Sequence, residues 1–141
     1  MDVHLQSREG GEQLGSAVLL AAFDDLMMSE YTLEPGTEPG DPHYHVNHTD
    51  AFYVLEGELE FVIDGTPVRA SAGTLVVAPR GAVHAFPVAV GSTARFLNVH
   101  APGGFERYLR ALSEMRARGE SPDAAFQEAH DQYLISKGTP T

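Results

Sequence analysis

Residues 43–65 read HYHVNHTDAFYVLEGELEFVIDG, and the reading of the whole chain starts from this stretch. It opens with three histidines in six positions, His43, His45 and His48, and passes through Asp50 into an apolar, aromatic run from Ala51 to Leu55. Glu56-Gly57 turns the chain. Leu59, Phe61 and Ile63 then alternate with Glu58 and Glu60, the period of a strand with one buried face. Asp64-Gly65 is a strong hairpin signal. The stretch predicts two strands joined by a tight turn, with a histidine cluster leading in.

The neighbouring segments extend the β pattern. Upstream, Ala17–Leu20 and Met27–Leu33 read as short strands with Asp24-Asp25 turning between them, and residues 1–15 as a polar, irregular arm. Residues 34–42, with three prolines and two glycines, read as a loop. Downstream, Val68–Ala70, Thr74–Ala78, Val83–Val88 and Thr93–His100 read as further strands. Turn signals at such short intervals favour a barrel or sandwich over βαβ units.

The last forty residues change period. Phe105, Tyr108, Leu109, Leu112 and Met115 recur at helical spacing, and Gly119 supplies a stop. Ser121 as cap and Pro122 at the first turn predict a second helix with the stripe Phe126, Ala129, Tyr133 and Leu134. The two helices are expected to pack over the outside or an open end of the barrel, with gating of a substrate as the alternative role.

Composition narrows the chemistry. The 141 residues suit one domain, and a chain that is 43% hydrophobic can fill one barrel core. With no cysteine, thiolate metal sites, disulfides and thiol catalysis are excluded, whereas seven histidines leave imidazole and carboxylate as ligands. The net charge is -11, and residues 1–64 carry fourteen acids against the single base Arg8, a surface that repels nucleic acid. No apolar run approaches the roughly 20 residues of a membrane span, and the start lacks the pattern of a signal peptide. A cytoplasmic protein with neither nucleic-acid nor membrane partners is expected.

His43 and His45 stand two apart, so on a strand both imidazoles face one point. Asp50 follows in phase with Phe52 and Val54, which are expected to line the cavity, whereas Tyr53 is out of phase and faces outward. His84 arrives from a separate strand just after Pro79-Arg80-Gly81. Three imidazoles and a carboxylate suit one divalent transition metal ion (iron, manganese, nickel, cobalt or zinc). Calcium and magnesium prefer oxygen. His48 is the alternative to Asp50 as a ligand, but its expected place is a solvent-side loop. His100 is expected to be a packed or rim residue, and His4 and His130 carry no assignment.

The arrangement resembles the two motifs of the cupin family. The first, H-x-H-x4-E-x6-G, is matched by His43, His45, Asp50 and Gly57, and the second, G-x5-P-x-G-x2-H, by Gly73, Pro79, Gly81 and His84. Aspartate replaces the family's glutamate, Val88 stands where an asparagine is usual, and Gly36 lies seven rather than six residues before His43. Gly57 and Gly81 occupy turns expected to need positive φ. The resemblance spans about residues 16–100 and implies an all-β cupin (jelly-roll, double-stranded β-helix) barrel. A single domain over residues 1–141 then has its barrel core at about 16–100 and a helical tail at about 103–136.

The resemblance also implies metal ligation by His43, His45, Asp50 and His84, with Asp50 as a catalytic base. Its shorter side chain is expected to stand farther from the ion, bonded directly or through water. Ala101-Pro102-Gly103-Gly104-Phe105-Glu106-Arg107-Tyr108 resembles the tail of small quercetinase-like bacterial cupins. That likeness implies a dioxygenase acting on a small enolizable or aromatic substrate. The alternatives are a redox-free metal-dependent isomerase, lyase or hydrolase, and a non-enzymatic small-molecule binder. A homodimer is expected, because small barrels expose sheet edges.

Overall fold

The computed structural model describes residues 2–135. In chain order the elements are β1 (Glu12–Leu14), β2 (Ala17–Ala22), β3 (Met27–Leu33), β4 (His43–Tyr44), β5 (Thr49–Glu56) and β6 (Glu58–Ile63). They continue with β7 (Thr66–Ser71), β8 (Leu75–Ala78), β9 (Val88–Ala89), β10 (Ala94–Ala101), α1 (Glu106–Ala117), α2 (Ala124–Ala129) and β11 (Tyr133–Leu134). The all-β cupin architecture with a helical tail is what the sequence predicted.

A six-stranded sheet runs β1-β2-β3-β10-β5-β8, and the other side is built from β7-β6-β9 and β11-β4. Hydrogen bonds do not close the sheets into a continuous ring. The core fills the space between them, with Tyr31, Phe52, Val54 and Phe96 from the large sheet meeting Leu59, Phe61 and Ala70 from the small one. Phe96 and Leu59 are fully buried, and each such side chain stabilises the fold by about 1.5–3 kcal/mol through the water it releases.

The local turn chemistry is as read. β6 and β7 pair from Ile63↔Thr66 outward, and Asp64 and Gly65 take φ of 48° and 82°, the left-handed pair of a two-residue hairpin. Gly57 and Gly81 have φ of 77° and 84°. At Gly57 the backbone also leaves no room, because a Cβ would lie 2.6 Å from Thr93 O.

Three segments depart from expectation. Part of the polar arm forms β1, which pairs with β2. The expected strand Val83–Val88 is interrupted: His84 bridges to His43 and to Ile63, Val88 pairs with β6, and the residues between are irregular. Pro87 within it has no N–H to offer a ladder. The second helix is shorter than its apolar stripe. Asp123, not Ser121, caps it by accepting the Phe126 N–H at 2.8 Å, and Tyr133 and Leu134 leave the helical phase to pair with Tyr44 and His43. The open edge of β4 offers unpaired main-chain groups, and satisfying them outweighs two more residues of a short helix. The expected end of the tail near residue 136 lies outside the described residues. No helix among the described residues is long and apolar enough to cross a membrane.

Candidate metal centre

β4 and the His84 segment are docked through their backbones. His43 and His84 exchange N–H···O bonds of 2.8 Å in both directions, and Gly81 N–H donates to His45 O at 2.7 Å. These bonds bring His43, His45 and His84 together, with one ligand nitrogen from each ring within 4.8 Å of the others. All three residues are buried.

Each ring is held by its Nδ1. The partners are carbonyl oxygens: Asp41 O at 2.8 Å for His43, Asp131 O at 2.7 Å for His45 and Ala82 O at 3.0 Å for His84. A carbonyl can only accept, so each Nδ1 carries the proton and each neutral ring keeps its lone pair on Nε2. The His45 Nε2 is buried with no hydrogen-bond partner. Three converging imidazole lone pairs, one of them orphaned, fit a divalent transition metal ion.

Asp50 stands beside the cluster. Its Oδ2 lies 3.1 Å from His84 Nε2 and 3.5 Å from His45 Nε2, while Oδ1 accepts from Asn98 Nδ2 at 2.6 Å. Burial alone would raise its carboxyl pKa, but His100, His45 and His84 outweigh burial and hold the group well below the usual carboxylate range. At His84 burial lowers the imidazole pKa, yet the hydrogen bond and charge of Asp50 prevail and raise it. Burial is also the main cause that pushes His43 and His100 down to about 4.

Strand phase placed Phe52 and Tyr53 as expected: Phe52 lines the cavity and Tyr53 is 40% exposed. Val54 instead belongs to the core below it. The expectation for His48 is corrected, because the residue is 6% exposed rather than in a solvent-side loop. Its Nδ1 donates to Asp131 Oδ2 at 2.8 Å, and its ring stacks on His45 at 4.0 Å between centroids. The tail folding back over the loop is what buries it. His100 is packed, with Nε2 donating to Asn98 Oδ1 at 3.0 Å and the ring stacked on Phe105 at 4.3 Å.

Asn98 and Asp131 were missed by sequence reasoning. Asn98 had a signal, since it alternates in phase with Phe96 and His100 and so is a polar residue on an inward face. Asp131 had none. The histidine cluster opens onto a cavity of about 720 Å³. Tyr31, Phe52 and Phe86 of the barrel form part of its wall, and Phe105, Tyr108 and Leu112 of the tail close over it.

The family profile described as Cupin domain matches residues 29–100, about half of the chain. The chain belongs to the cupin family. It is 33% identical over 72 residues to quercetin 2,3-dioxygenase of Bacillus subtilis (strain 168), covering 51% of this chain and 21% of that protein. It is 39% identical over 57 residues to acetate kinase EutQ of Clostridioides difficile (strain 630), covering 40% of this chain and 35% of that one. The aligned regions thus span a fifth to a third of the curated relatives. Among solved structures, KdgF from Halomonas sp. is similar with a TM-score of 0.64 at 23% identity, over 76% of this chain and 99% of that one, a likeness of fold.

Proposed function

We propose that the protein is a metal-dependent cupin working as a quercetinase-like dioxygenase on a small enolizable or aromatic molecule. His43, His45 and His84 are the metal ligands, and Asp50 completes the centre directly or through water. The observation carrying this reading is the convergence of three imidazole nitrogens within 4.8 Å of one another at a cavity of about 720 Å³ with aromatic walls. The similarity to quercetin 2,3-dioxygenase supports the oxidative chemistry.

Iron, manganese, nickel, cobalt or zinc bound there would supply a Lewis acid that stabilises negative charge on an enolic or phenolic oxygen. The chain's own groups do the rest. Asp50 is ionised, and its Oδ2 faces the imidazole nitrogens, so it is placed to take the hydroxyl proton of a substrate. The 2.6 Å bond from Asn98 to Oδ1 holds the carboxylate in that orientation. Phe52, Phe86 and Phe105 provide flat surfaces for a ring, and Tyr108 and Leu112 of the tail add to the apolar wall.

Elemental analysis of the purified protein, followed by flavonols and related enols offered with and without oxygen, tests the reading. Metal-dependent substrate loss coupled to oxygen uptake is expected. Turnover without oxygen would point to an isomerase, lyase or hydrolase, and tight binding without turnover to a small-molecule binder.

A further inference from the structure

One residue of the tail makes five hydrogen bonds to the segment that carries His45. The main-chain oxygen of Asp131 accepts the His45 Nδ1–H at 2.7 Å. Its carboxylate accepts the Val46 N–H at 2.9 Å, the Asn47 N–H at 2.8 Å, the Asn47 Nδ2–H at 3.5 Å and the His48 Nδ1–H at 2.8 Å. Asp131 holds this position with φ of 58°, one of two non-glycine residues in the left-handed region among the described residues. Such a backbone costs about 1–2 kcal/mol for most residues and less for aspartate or asparagine. The conformation persists because its surroundings over-determine it. Tyr133 pairs with Tyr44 immediately afterwards, and their rings stack at 5.2 Å.

We propose that Asp131 is a positioning residue of the metal centre, so that the tail sets how strongly His45 holds its ion. The inference rests on reading the three imidazoles as ligands and adds a further participant from outside residues 29–100. The main-chain oxygen fixes the tautomer and plane of the His45 ring, leaving Nε2 as the donor. The carboxylate clamps the backbone of Val46 and Asn47, so the ring cannot swing away from His43 and His84. An acceptor on the far nitrogen also makes the ligating nitrogen more basic, and removing such outer partners typically costs about 10–100-fold in metal affinity.

Attachment of the tail alone would be a different role, and the two are separable. The full chain is stripped with chelator and titrated with Co²⁺, following both affinity and the visible spectrum of the bound ion. Asp131→Ala is expected to bind Co²⁺ about 10–100-fold more weakly with an altered spectrum. Asp131→Asn, which tolerates the left-handed backbone and keeps one of the two side-chain acceptor oxygens, is expected to recover part of the affinity. Wild-type affinity and spectrum in a folded Asp131→Ala, even with a lowered melting temperature, would overturn the proposal. Should that variant not fold, the nitrogen-15 spectrum of the wild-type apo protein decides: a proton on His45 Nε2 rather than Nδ1 overturns it. If the wild type takes up no Co²⁺, or His84→Ala takes it up equally well, the metal-centre reading fails and this inference with it. Normal wild-type binding with indifferent Asp131 variants sinks this inference alone.

Discussion

His43 and His84 exchange both main-chain hydrogen bonds, N–H to carbonyl at 2.8 Å each way. The two motifs are therefore locked together by backbone, and the side chains are free for the ion.

That division of labour sets the outcome for His84→Ala. The main-chain bonds survive, so the variant is expected to fold, while metal content falls to background. In the wild type, metal at a hundredfold excess over its Kd should add about 2.7 kcal/mol of stability. Metal analysis and melting with and without chelator check both statements.

Asp50 and His48 should separate cleanly. Asp50→Ala removes a carboxylate 3.1 Å from His84 Nε2 and 3.5 Å from His45 Nε2, and about a 10–100-fold loss of metal affinity is expected. His48→Ala takes a buried ring off Asp131 and should cost about 1–3 kcal/mol of stability with the metal retained. Metal lost from His48→Ala but kept by Asp50→Ala would mean a four-histidine site.

Acid should destabilise the metal-free protein well above the carboxylate range. Burial puts His43 and His100 at about 4 in the fold, against about 6.5 unfolded. Between those values the unfolded chain binds more protons, so stability falls as pH drops from about 6.5 to 4, by up to a few kcal/mol for each group. His84 is raised and acts oppositely: its contribution is present below about 6.5 and is lost as pH rises through its folded value. Burial lowers His48 as well, so three groups oppose one; melting of the chelated protein should decline as pH falls across that window, and His100→Asn should flatten the decline.

Gly103 is expected to resist substitution. An added Cβ would lie 1.8 Å from Phe23 O, while its N–H bonds Asp24 O at 2.9 Å. Gly103→Ala should cost at least about 1–3 kcal/mol, because backbone must move. Gly15→Ala, with positive φ but nothing within 4 Å of its Cβ, should cost about 1–2 kcal/mol from the dihedral alone. Urea unfolding compares the two.

Much of the site was legible because its rules are local. Alternation along β5 puts Asp50 and Phe52 on the inner face and Tyr53 on the outer one, and Asp64-Gly65 dictates its turn. The His43-Tyr44-His45 spacing aims two imidazoles one way, a consequence of the pleat that no distant contact has to supply. His48 was misplaced by the same local reasoning, since a polar residue between two strands ordinarily faces water.

The sequence by itself determined most of the barrel strands, the Asp64-Gly65 hairpin and the three imidazoles, because a period of two and a left-handed turn are properties of a few consecutive residues. Only the tertiary structure decided what holds those imidazoles. Asn98 meets Asp50 across the β10–β5 ladder, and Asp131 reaches His45 from 86 residues away. Tyr133 and Leu134 carry a helical stripe yet become a strand, because β4 presents unpaired main-chain groups that a six-residue helix cannot satisfy. Such partners are selected by which backbone edges and buried polar atoms remain open once the barrel has formed, and no local period encodes that choice.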